Sequence, residues 1–372
     1  MDIVPFFKLM VDRGASDLFF SVGAPPYIKI EGKTSPLGQA PLKSHQMQEI
    51  ASSVMNDAQQ KEFEGTMELN MAISVENVGR YRINLFRQRG EIAMVVRYIK
   101  GSIPSFSDLN LPPLLSSIVM EQRGLVLVVG ATGSGKSTTL AAMIDYRNSN
   151  YCGHILTIED PIEFIHHHKK SIVDQREVGI DTLSYDNALK NAMREAPDVI
   201  LIGEIRDRHT MKHAIAYAET GHLCLSTLHA NNANQTMDRI INFFSEEAKQ
   251  QLLLDLSLNL RAIISLRLIP GLHEKRIPAV EILLNSPYIS DLIEKGKIEE
   301  IKDVMARSTE QGMQTFDQAL FNLYKSGKIS KENAIRYADS RNNVGLKIRL
   351  AEEGGGDMGA GLSIEPEDDG KF

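Results

Sequence analysis

Apolar positions near the start of the chain first follow a helical spacing and then change to strand-like runs. The helical spacing predicts a short helix with an apolar face formed by Ile3, Phe6, Phe7 and Met10. Runs rich in β-branched and aromatic residues then predict strands over residues 17–22, 27–31, 67–75 and 92–99. Residues 1–100 are therefore predicted to form a small α+β domain.

A different pattern begins after a segment rich in turn-forming residues. Pro112 and Pro113 disfavour helix and central strand, so a linker is predicted over residues 101–113. Beyond it, short apolar runs alternate with amphipathic stretches, which is typical of strands covered by helices on both faces. The predicted strands of this parallel α/β sheet are 125–129, 155–158, 199–202 and 223–227. We assign residues 114–287 to this second domain.

The carboxyl-terminal part of the chain is richer in polar and helix-forming residues. Within a helical region at 288–350, helices are predicted over residues 289–295, 297–306, 315–326 and 331–339. The last stretch, 351–372, contains three consecutive glycines and carries seven acids against one base. This composition predicts a disordered acidic tail.

Charge and cysteine content exclude several classes of protein. The formal net charge is −7, but without residues 351–372 the chain has 41 acidic and 40 basic residues. A nearly neutral body without tryptophan disfavours nucleic acid as the main partner, because such binding relies on basic surfaces and stacking aromatics.

Cys152 and Cys224 cannot form a four-cysteine zinc site. No apolar run reaches the length of a membrane span, and we expect a cytoplasmic protein.

A phosphate-binding loop is the strongest chemical signal in the sequence. Residues 130–137 read GATGSGKS and fit the pattern GxxxxGK[ST] in full. The loop follows a predicted strand and precedes a helical stretch at 138–146, where backbone N–H groups and a helix terminus can bind phosphate. The motif predicts ATP and Mg²⁺ as ligands, with a lysine on the phosphates and a serine hydroxyl on the metal. The predicted nucleotide-binding residues of this segment are Gly130, Thr132, Gly133, Ser134, Gly135, Lys136, Ser137 and Thr138.

Acidic residues follow two of the predicted buried strands. Glu204 comes after the strand at 199–202 and would lie beside the γ-phosphate if that strand neighbours the phosphate loop. A glutamate after glycine suggests that it reaches Mg²⁺ through water. Glu159, Asp160 and Glu163 follow the strand at 155–158, and one of them would act as general base on the attacking water. Solvated acids at strand ends and a local Asp-Pro turn are the alternative explanations.

Histidines lie at both ends of the predicted strand at 223–227. His222 and His229 could each face a phosphate or a neighbouring acid, or be ordinary polar groups, and both explanations stay open. The consecutive residues 166–168 are also histidines, but consecutive side chains point in different directions. We predict a solvated surface there and no metal site.

Four segments occur in an order that is found in one family of motor ATPases. They are the phosphate loop, residues 155–164 (ILTIEDPIEF), 203–207 (GEIRD) and 220–229 (TGHLCLSTLH). Together they resemble the Walker A, Asp box, Walker B and His box of the secretion-type hexameric ATPases, the GspE/PulE superfamily. The resemblance covers about residues 1–345, since residues 15–18 (ASDL) and 79–84 (GRYRIN) are similar to the amino-terminal domain of that family. Within the superfamily, the chain most resembles the PilT/PilU family of type IV pilus retraction ATPases.

The resemblance implies an architecture and a mode of assembly. It implies a RecA-like P-loop ATPase domain, a PAS-like α+β amino-terminal domain and carboxyl-terminal helices, assembled into a homo-hexameric ring. ATP would be held between the two domains, and its hydrolysis would move them. Three arginines of the amino-terminal domain, Arg80, Arg82 and Arg97, would reach the γ-phosphate, unless they are ordinary surface residues of a strand pair.

The same resemblance gives roles to the other site residues. Lys136 and Ser137 would bind the phosphates and Mg²⁺, and Glu204 would complete the metal shell. Glu163 would be the general base, supported by the two acids at 159 and 160. The histidines at 222 and 229 would sense the nucleotide.

The chain departs from its relatives in two places. Assembly-type relatives carry a tetracysteine zinc site, which two cysteines cannot provide. PilT-like sequences carry the motif AIRNLIR, whereas residues 288–294 read YISDLIE. Ser290 and Glu294 replace both arginines, while the apolar Ile289, Leu292 and Ile293 remain. Helix packing can survive these changes, but a contact that depends on the arginine charges cannot.

These features favour an accessory retraction ATPase over the main retraction motor of the family. We expect an ATP-hydrolysing motor at the inner-membrane base of the type IV pilus that supports pilus depolymerisation and twitching motility. Its expected partners are a PilT-like retraction ATPase and an inner-membrane platform protein. The alternatives are a nucleic-acid or conjugation-type translocating ATPase and a scaffold that binds nucleotide without hydrolysing it; the complete set of acids argues against the scaffold.

Overall fold

The computed structural model describes residues 3–30, 32–99, 101–272 and 276–353. These residues form two compact units, which are described separately. The first comprises the described residues up to Asp108, together with Pro113–Leu127 and Lys136–Leu228. The second comprises Leu109–Pro112, Val128–Gly135 and the described residues from His229 onward. The domain borders assigned from the sequence, at 100, 113, 287 and 350, stay predictions.

The amino-terminal part of the first unit is an antiparallel sheet with three helices. Its helices are α1 (Val4–Asp12), α2 (Ser44–Val54) and α3 (Asp57–Thr66). Its strands are β1 (Asp17–Ser21), β2 (Tyr27–Ile30), β3 (Lys33–Pro36), β4 (Glu68–Val75), β5 (Gly79–Gln88) and β6 (Glu91–Ile99), in the order β3-β2-β1-β6-β5-β4. The four predicted strands are confirmed to within one residue, apart from Glu31, which lies outside the described residues.

This sheet separates an apolar face from a basic one. Along β5, Tyr81, Ile83 and Leu85 are fully buried, and the Tyr81 ring stacks on Phe7 of α1 with ring centroids 4.2 Å apart. The Tyr81 hydroxyl also donates a hydrogen bond of 2.9 Å to the Phe7 carbonyl oxygen. Since successive strand residues point to opposite faces, the intervening arginines of β5 lie on the other side.

A second sheet carries the strands that were predicted for the second domain. Its strands are β7 (Gly124–Gly130), β8 (His154–Glu159), β9 (Ile172–Glu177), β10 (Val199–Ile202), β11 (Leu223–Leu228), β12 (Leu260–Pro270) and β13 (Arg276–Leu284). The helices along this stretch are α4 (Leu114–Val119), α5 (Lys136–Asn150), α6 (Tyr185–Ala192), α7 (Arg208–Glu219), α8 (Ala233–Asn242) and α9 (Glu246–Asn259). The strand order is β13-β12-β7-β11-β10-β8-β9. The α/β fold class is confirmed, and all four predicted strands are found within one residue of their bounds.

The prediction of a parallel sheet needs one correction. Strands β8, β9, β10 and β11 pair in parallel, but β12 and β13 pair antiparallel from Ala262 opposite Leu284 to Pro270 opposite Arg276. A short connection can join antiparallel neighbours, whereas parallel neighbours need a long crossover. Hydrophobic runs alone do not distinguish these directions, and the sheet is mixed.

The carboxyl-terminal helices are α10 (Pro287–Glu294), α11 (Ile301–Arg307), α12 (Phe316–Lys325), α13 (Lys331–Arg336) and α14 (Arg341–Glu353). Three apolar residues of α10, Ile289, Leu292 and Ile293, are buried, so the packing face of the altered motif is preserved. Helix α14 was not predicted, and it continues to Glu353, three residues past the predicted border at 350. Glu352 accepts hydrogen bonds from the Tyr324 hydroxyl (2.7 Å) and the Lys331 ammonium (2.6 Å). The rest of the tail, 354–372, lies outside the described residues.

Across the described ranges, none of the helices combines the length and apolar character that crossing a membrane would require.

Candidate nucleotide-hydrolysis site

The phosphate loop needs glycine for steric reasons. Gly130 is the last residue of β7, and a Cβ there would lie 2.4 Å from Ser134 Oγ and 2.6 Å from the Leu266 carbonyl oxygen. Gly133 and Gly135 have φ of 75° and 94°, which is the left-handed region that side chains disfavour. The backbone N–H of Ser134 donates to the Ala131 carbonyl oxygen over 3.2 Å and closes the turn. The predicted loop is thus a tight structure that larger residues would disrupt.

One group in the loop is suited to an anionic ligand. Ser134 is buried, and within the described residues its hydroxyl has no hydrogen-bond partner in the protein. A shielded hydroxyl without a partner carries an energetic cost that an acceptor oxygen would remove. Helix α5 begins at Lys136, inside the motif and directly after Gly135, and the partial positive charge of a helix amino terminus favours phosphate. The residues therefore fit a nucleotide phosphate.

Lys136 is a buried cation close to two of the predicted acids. Burial lowers its pKa, while the negative charges of Glu204 and Glu163 act in the opposite direction. The structure thus brings the phosphate-loop lysine and these carboxylates into one electrostatic environment. Ser137 and Thr138, the next residues of α5, are half-buried in its first turn.

The acids at the ends of β8 and β10 are held together at a glycine. The N–H of Gly203 donates to the Ile158 carbonyl oxygen over 2.8 Å. A Cβ on Gly203 would lie 3.3 Å from the Glu159 Cα and 2.9 Å from the Tyr185 hydroxyl. Glycine therefore allows the chain carrying Glu204 to approach the chain carrying Glu159.

The strand order corrects one step of the sequence reasoning. Strand β11 lies between β7 and β10, so the strand that leads to Glu204 is not the neighbour of the phosphate-loop strand. The neighbours of β7 are β12 and β11, and β11 ends at Leu228, directly before His229. Hydrophobic patterning locates buried strands but does not give their order in the sheet.

Glu159 has the most strongly perturbed carboxylate of the acidic cluster. Its Oε1 accepts hydrogen bonds from the Thr157 hydroxyl (2.7 Å) and the Gln175 amide (3.3 Å), and the backbone N–H of Glu163 also donates to it. Burial outweighs these contacts and raises the pKa of Glu159 to about 7. The side chain of Glu163, by contrast, belongs to an exposed residue. The two acids thus differ in environment, which the sequence did not reveal.

Arg206 was quoted within a motif but given no role, and it links two site acids. Its Nε donates to Glu204 Oε2 over 2.7 Å, and its Nη1 lies 3.7 Å from Asp160 Oδ2. The pair is part-exposed, so its contribution to stability is modest, but it fixes the direction in which Glu204 points. Its position two residues after Glu204 was the signal available in the sequence.

The two predicted histidines lie at opposite ends of β11. The backbone of His222 accepts a hydrogen bond of 3.0 Å from Gly124 at the amino ends of the strands, and its ring contacts Thr220 and Tyr217. Nucleotides bind at the carboxyl ends of parallel strands, so the position of His222 does not favour a phosphate contact, and its role as a nucleotide sensor stays a prediction.

His229 lies at the carboxyl end of β11, in the second unit. Its carbonyl oxygen accepts a hydrogen bond of 2.8 Å from Arg239 Nη1. It lines a cavity of about 610 Å³ together with Gly130, Ala131, Asn231 and Arg239. Of the two histidines, this one lies beside the phosphate loop.

The three predicted arginines share the basic face of the first sheet. Arg82 on β5 pairs with Arg97 on β6, and Arg80 lies two residues earlier on the same face. Arg97 Nε binds Asp17 Oδ1 over 2.8 Å. Arg82 and Arg80 lower the pKa of Glu177 at the end of β9, although burial raises it more. A contact with nucleotide stays a prediction for all three.

Comparison with known proteins identifies the family. Residues 69–342 match the model of a family described as type II/IV secretion system protein. The chain is 51% identical to the type IV pilus ATPase PilU of Pseudomonas aeruginosa, over 99% of this chain and 98% of that protein. It is 42% identical to the type IV pilus retraction ATPase PilT of the same species, over 90% of this chain and 97% of that one.

A solved structure extends the similarity to the fold. The crystal structure of the pilus retraction motor PilT with bound ADP superposes with a TM-score of 0.85 and 41% identity, covering 91% of this chain and 98% of that chain. Together, the phosphate loop, the acids at the strand ends and these similarities define a P-loop ATPase. The chain belongs to the type II/IV secretion system protein family.

Replacing Gly203 tests whether hydrolysis depends on the close approach of the chain that carries Glu204 to the chain that carries Glu159. Gly203→Ala should lower ATP turnover on the order of 10- to 100-fold, because its Cβ must displace Tyr185 or Glu159 and so shift the catalytic groups. Binding of a fluorescent nucleotide should change less, since the phosphate loop is untouched. Gly65→Ala, in α3 with open space around it, is the matched control and should retain full turnover. Equal turnover in both variants would contradict the steric argument.

The raised pKa of Glu159 predicts a pH-dependent stability. The folded state binds the proton more tightly than the unfolded chain does. The free energy of unfolding that this carboxyl contributes therefore falls as the pH rises from 4.5, its ordinary pKa, to about 7, its pKa in the folded protein. Glu159→Gln should therefore gain thermal stability over the wild type as pH is raised from about 5 to 8, measured without nucleotide. The exposed Glu247→Gln serves as control. A difference in melting temperature between Glu159→Gln and the wild type that is the same at every pH would disprove the assignment.

Proposed function

We propose that this chain is a PilU-like motor that couples ATP hydrolysis to retraction of type IV pili. The observation that carries the proposal is the combination of a complete phosphate loop and acid set with 51% identity to PilU over nearly the full length of both proteins. The replacement of both arginines of the AIRNLIR motif favours the accessory role over that of an independent retraction motor.

The chain's own residues account for nucleotide binding. Lys136 and the loop N–H groups would hold the β- and γ-phosphates, and the Ser134 hydroxyl would donate to a phosphate oxygen. Ser137, with Glu204 acting through water, would hold Mg²⁺. When bound, Mg²⁺ neutralises charge on the phosphate oxygens. The carboxylates near Lys136 keep its charge from being an isolated buried cation when the nucleotide is absent.

Hydrolysis requires that a water attack the γ-phosphorus while the bond to the β-phosphate oxygen breaks. Glu163 would accept the proton from that water as general base. Glu159 would act as a positioning residue, because it accepts the backbone N–H of Glu163 and so orients the turn. Arg206 would hold Glu204 in place. His229 and the three arginines of the basic face are proposed to contact the nucleotide.

The proposed assembly follows from the same family. We propose a homo-hexamer at the inner-membrane base of the pilus, acting with a PilT-like ATPase on a platform protein of that membrane. Domain movement driven by ATP would transmit force to pilin subunits.

Two substitutions test the division between binding and hydrolysis. Lys136→Ala should lose most nucleotide affinity and turnover, because it removes a phosphate contact and little core volume. Glu204→Ala should still bind nucleotide but hydrolyse it about 10²–10⁴-fold more slowly, the range of a positioned catalytic group. Lys170→Ala, at an exposed position, is the control and should leave both quantities unchanged. Unaltered hydrolysis in Lys136→Ala would refute the site.

The pilus function is tested by motility and by ATPase assays with a second motor. Deleting the gene should impair twitching, and the Glu204→Ala protein should not restore it. The ATPase rate of the purified protein should change when the related PilT-like ATPase is added. Normal twitching in the deletion strain, with strong salt-sensitive stimulation of turnover by DNA, would favour a nucleic-acid translocase instead.

A further inference from the structure

Three potential metal ligands converge on two neighbouring helices of the first unit. Asp186 lies in the first turn of α6, and His209 and His213 lie on α7. One ligand atom from each lies within 4.8 Å of the other two. None of the three was singled out by the sequence motifs, and the function proposed above does not use them.

The two histidines have the spacing that a helix requires for shared ligation. Residues four apart lie on the same face of a helix, one turn from each other. Their ring centroids are 4.8 Å apart, and the His213 ring also contacts Tyr217 on the next turn. Histidine pairs with this spacing can bind one ion without any change in the backbone.

The carboxylate of Asp186 is arranged to supply the third ligand. Its Oδ2 accepts a hydrogen bond from Lys190, one turn further along α6. Its Oδ1 is shielded from solvent and, among the described residues, accepts no hydrogen bond. This atom lies 3.2 Å from His209 Nε2. Two ligands of a tetrahedral zinc ion with bonds of about 2.0–2.1 Å lie roughly 3.3 Å apart, so this pair already has the required separation.

We propose that Asp186, His209 and His213 form a binding site for a divalent transition-metal ion, with Zn²⁺ as the best-fitting ion. Two imidazole nitrogens and one carboxylate oxygen, with water as the fourth ligand, match the preference of zinc. Mg²⁺ and Ca²⁺ prefer all-oxygen sites, which separates this site chemically from the metal of the nucleotide. Lys190 would orient the carboxylate from outside the coordination sphere, as outer partners of metal ligands commonly do.

The bound ion would join α6 to α7 beside the acidic segments. Helix α7 begins one residue after Asp207, four residues beyond Glu204. Tyr185, adjacent to Asp186, has the hydroxyl that lies against Gly203. A cross-link between these helices would therefore stabilise the frame that carries Glu204 and would bind the folded state in preference to the unfolded chain.

Metal titration of the full chain without nucleotide tests the site. Zn²⁺ competed against a chromogenic chelator should bind one ion per chain, and Co²⁺ should give the visible absorption of a low-coordinate nitrogen and oxygen site. His209→Ala, at an exposed position, should lower Zn²⁺ affinity by at least about 100-fold, since even outer-partner losses cost 10- to 100-fold. Asp186→Asn should also weaken binding and abolish the rise in melting temperature that Zn²⁺ produces.

The control is His167→Ala, because His167 is exposed within the other histidine-rich segment of the chain. It should retain wild-type Zn²⁺ affinity, stoichiometry and Co²⁺ spectrum. Full Zn²⁺ affinity in His209→Ala, or loss of binding in His167→Ala, would overturn the assignment. So would a wild-type protein whose melting temperature does not respond to Zn²⁺. None of these readouts depends on ATP hydrolysis, so they remain distinct from tests of the pilus function.

Discussion

The close approach of two strand ends at Gly203 determines the arrangement of the acidic residues. The hydrogen bond from Gly203 to Ile158 joins the two chain segments where β8 ends at Glu159 and where the chain leads from β10 to Glu204. A residue with a side chain would force Tyr185 or the Glu159 backbone to move. Because Glu159 ends β8 and Glu204 comes two residues after the fully buried strand β10, this contact sets their positions more precisely than a flexible loop could.

Placing these acids together produces an excess of negative charge. Glu159, Asp160, Glu163 and Glu204 lie on two adjoining segments, and Lys136 and Arg206 are the cations described beside them. Burial is the main cause of the raised pKa of Glu159, and the negative charge of Glu163 raises it further. A nucleotide adds further negative charge. The Mg²⁺ and the arginines of the basic face that are proposed above to bind the nucleotide would offset this negative charge.

The sequence predicted features that depend on local pattern and missed those that depend on tertiary neighbours. The strand Val199–Ile202 was located to the residue, because a strand buried on both faces is continuously apolar and ends sharply at a glycine. The antiparallel direction of β13 and the order of β10 and β11 follow from pairing, which no local pattern encodes. Likewise, the pKa of Glu159 depends on Gln175, which β9 places opposite Thr157.

Arg97 and Arg80, two of the three arginines of the basic face, differ in whether the Nε atom already has a hydrogen-bond acceptor. Arg97 has an exposed side chain and its Nε is bound to Asp17, so a phosphate would compete with an existing carboxylate. Arg80 has a shielded Nε that, within the described chain, meets no acceptor. A buried donor without an acceptor is costly, and an incoming phosphate oxygen would remove that cost. The sequence treats the arginines as equivalent, but desolvation means that Arg80 gains more from an anion than Arg97 does.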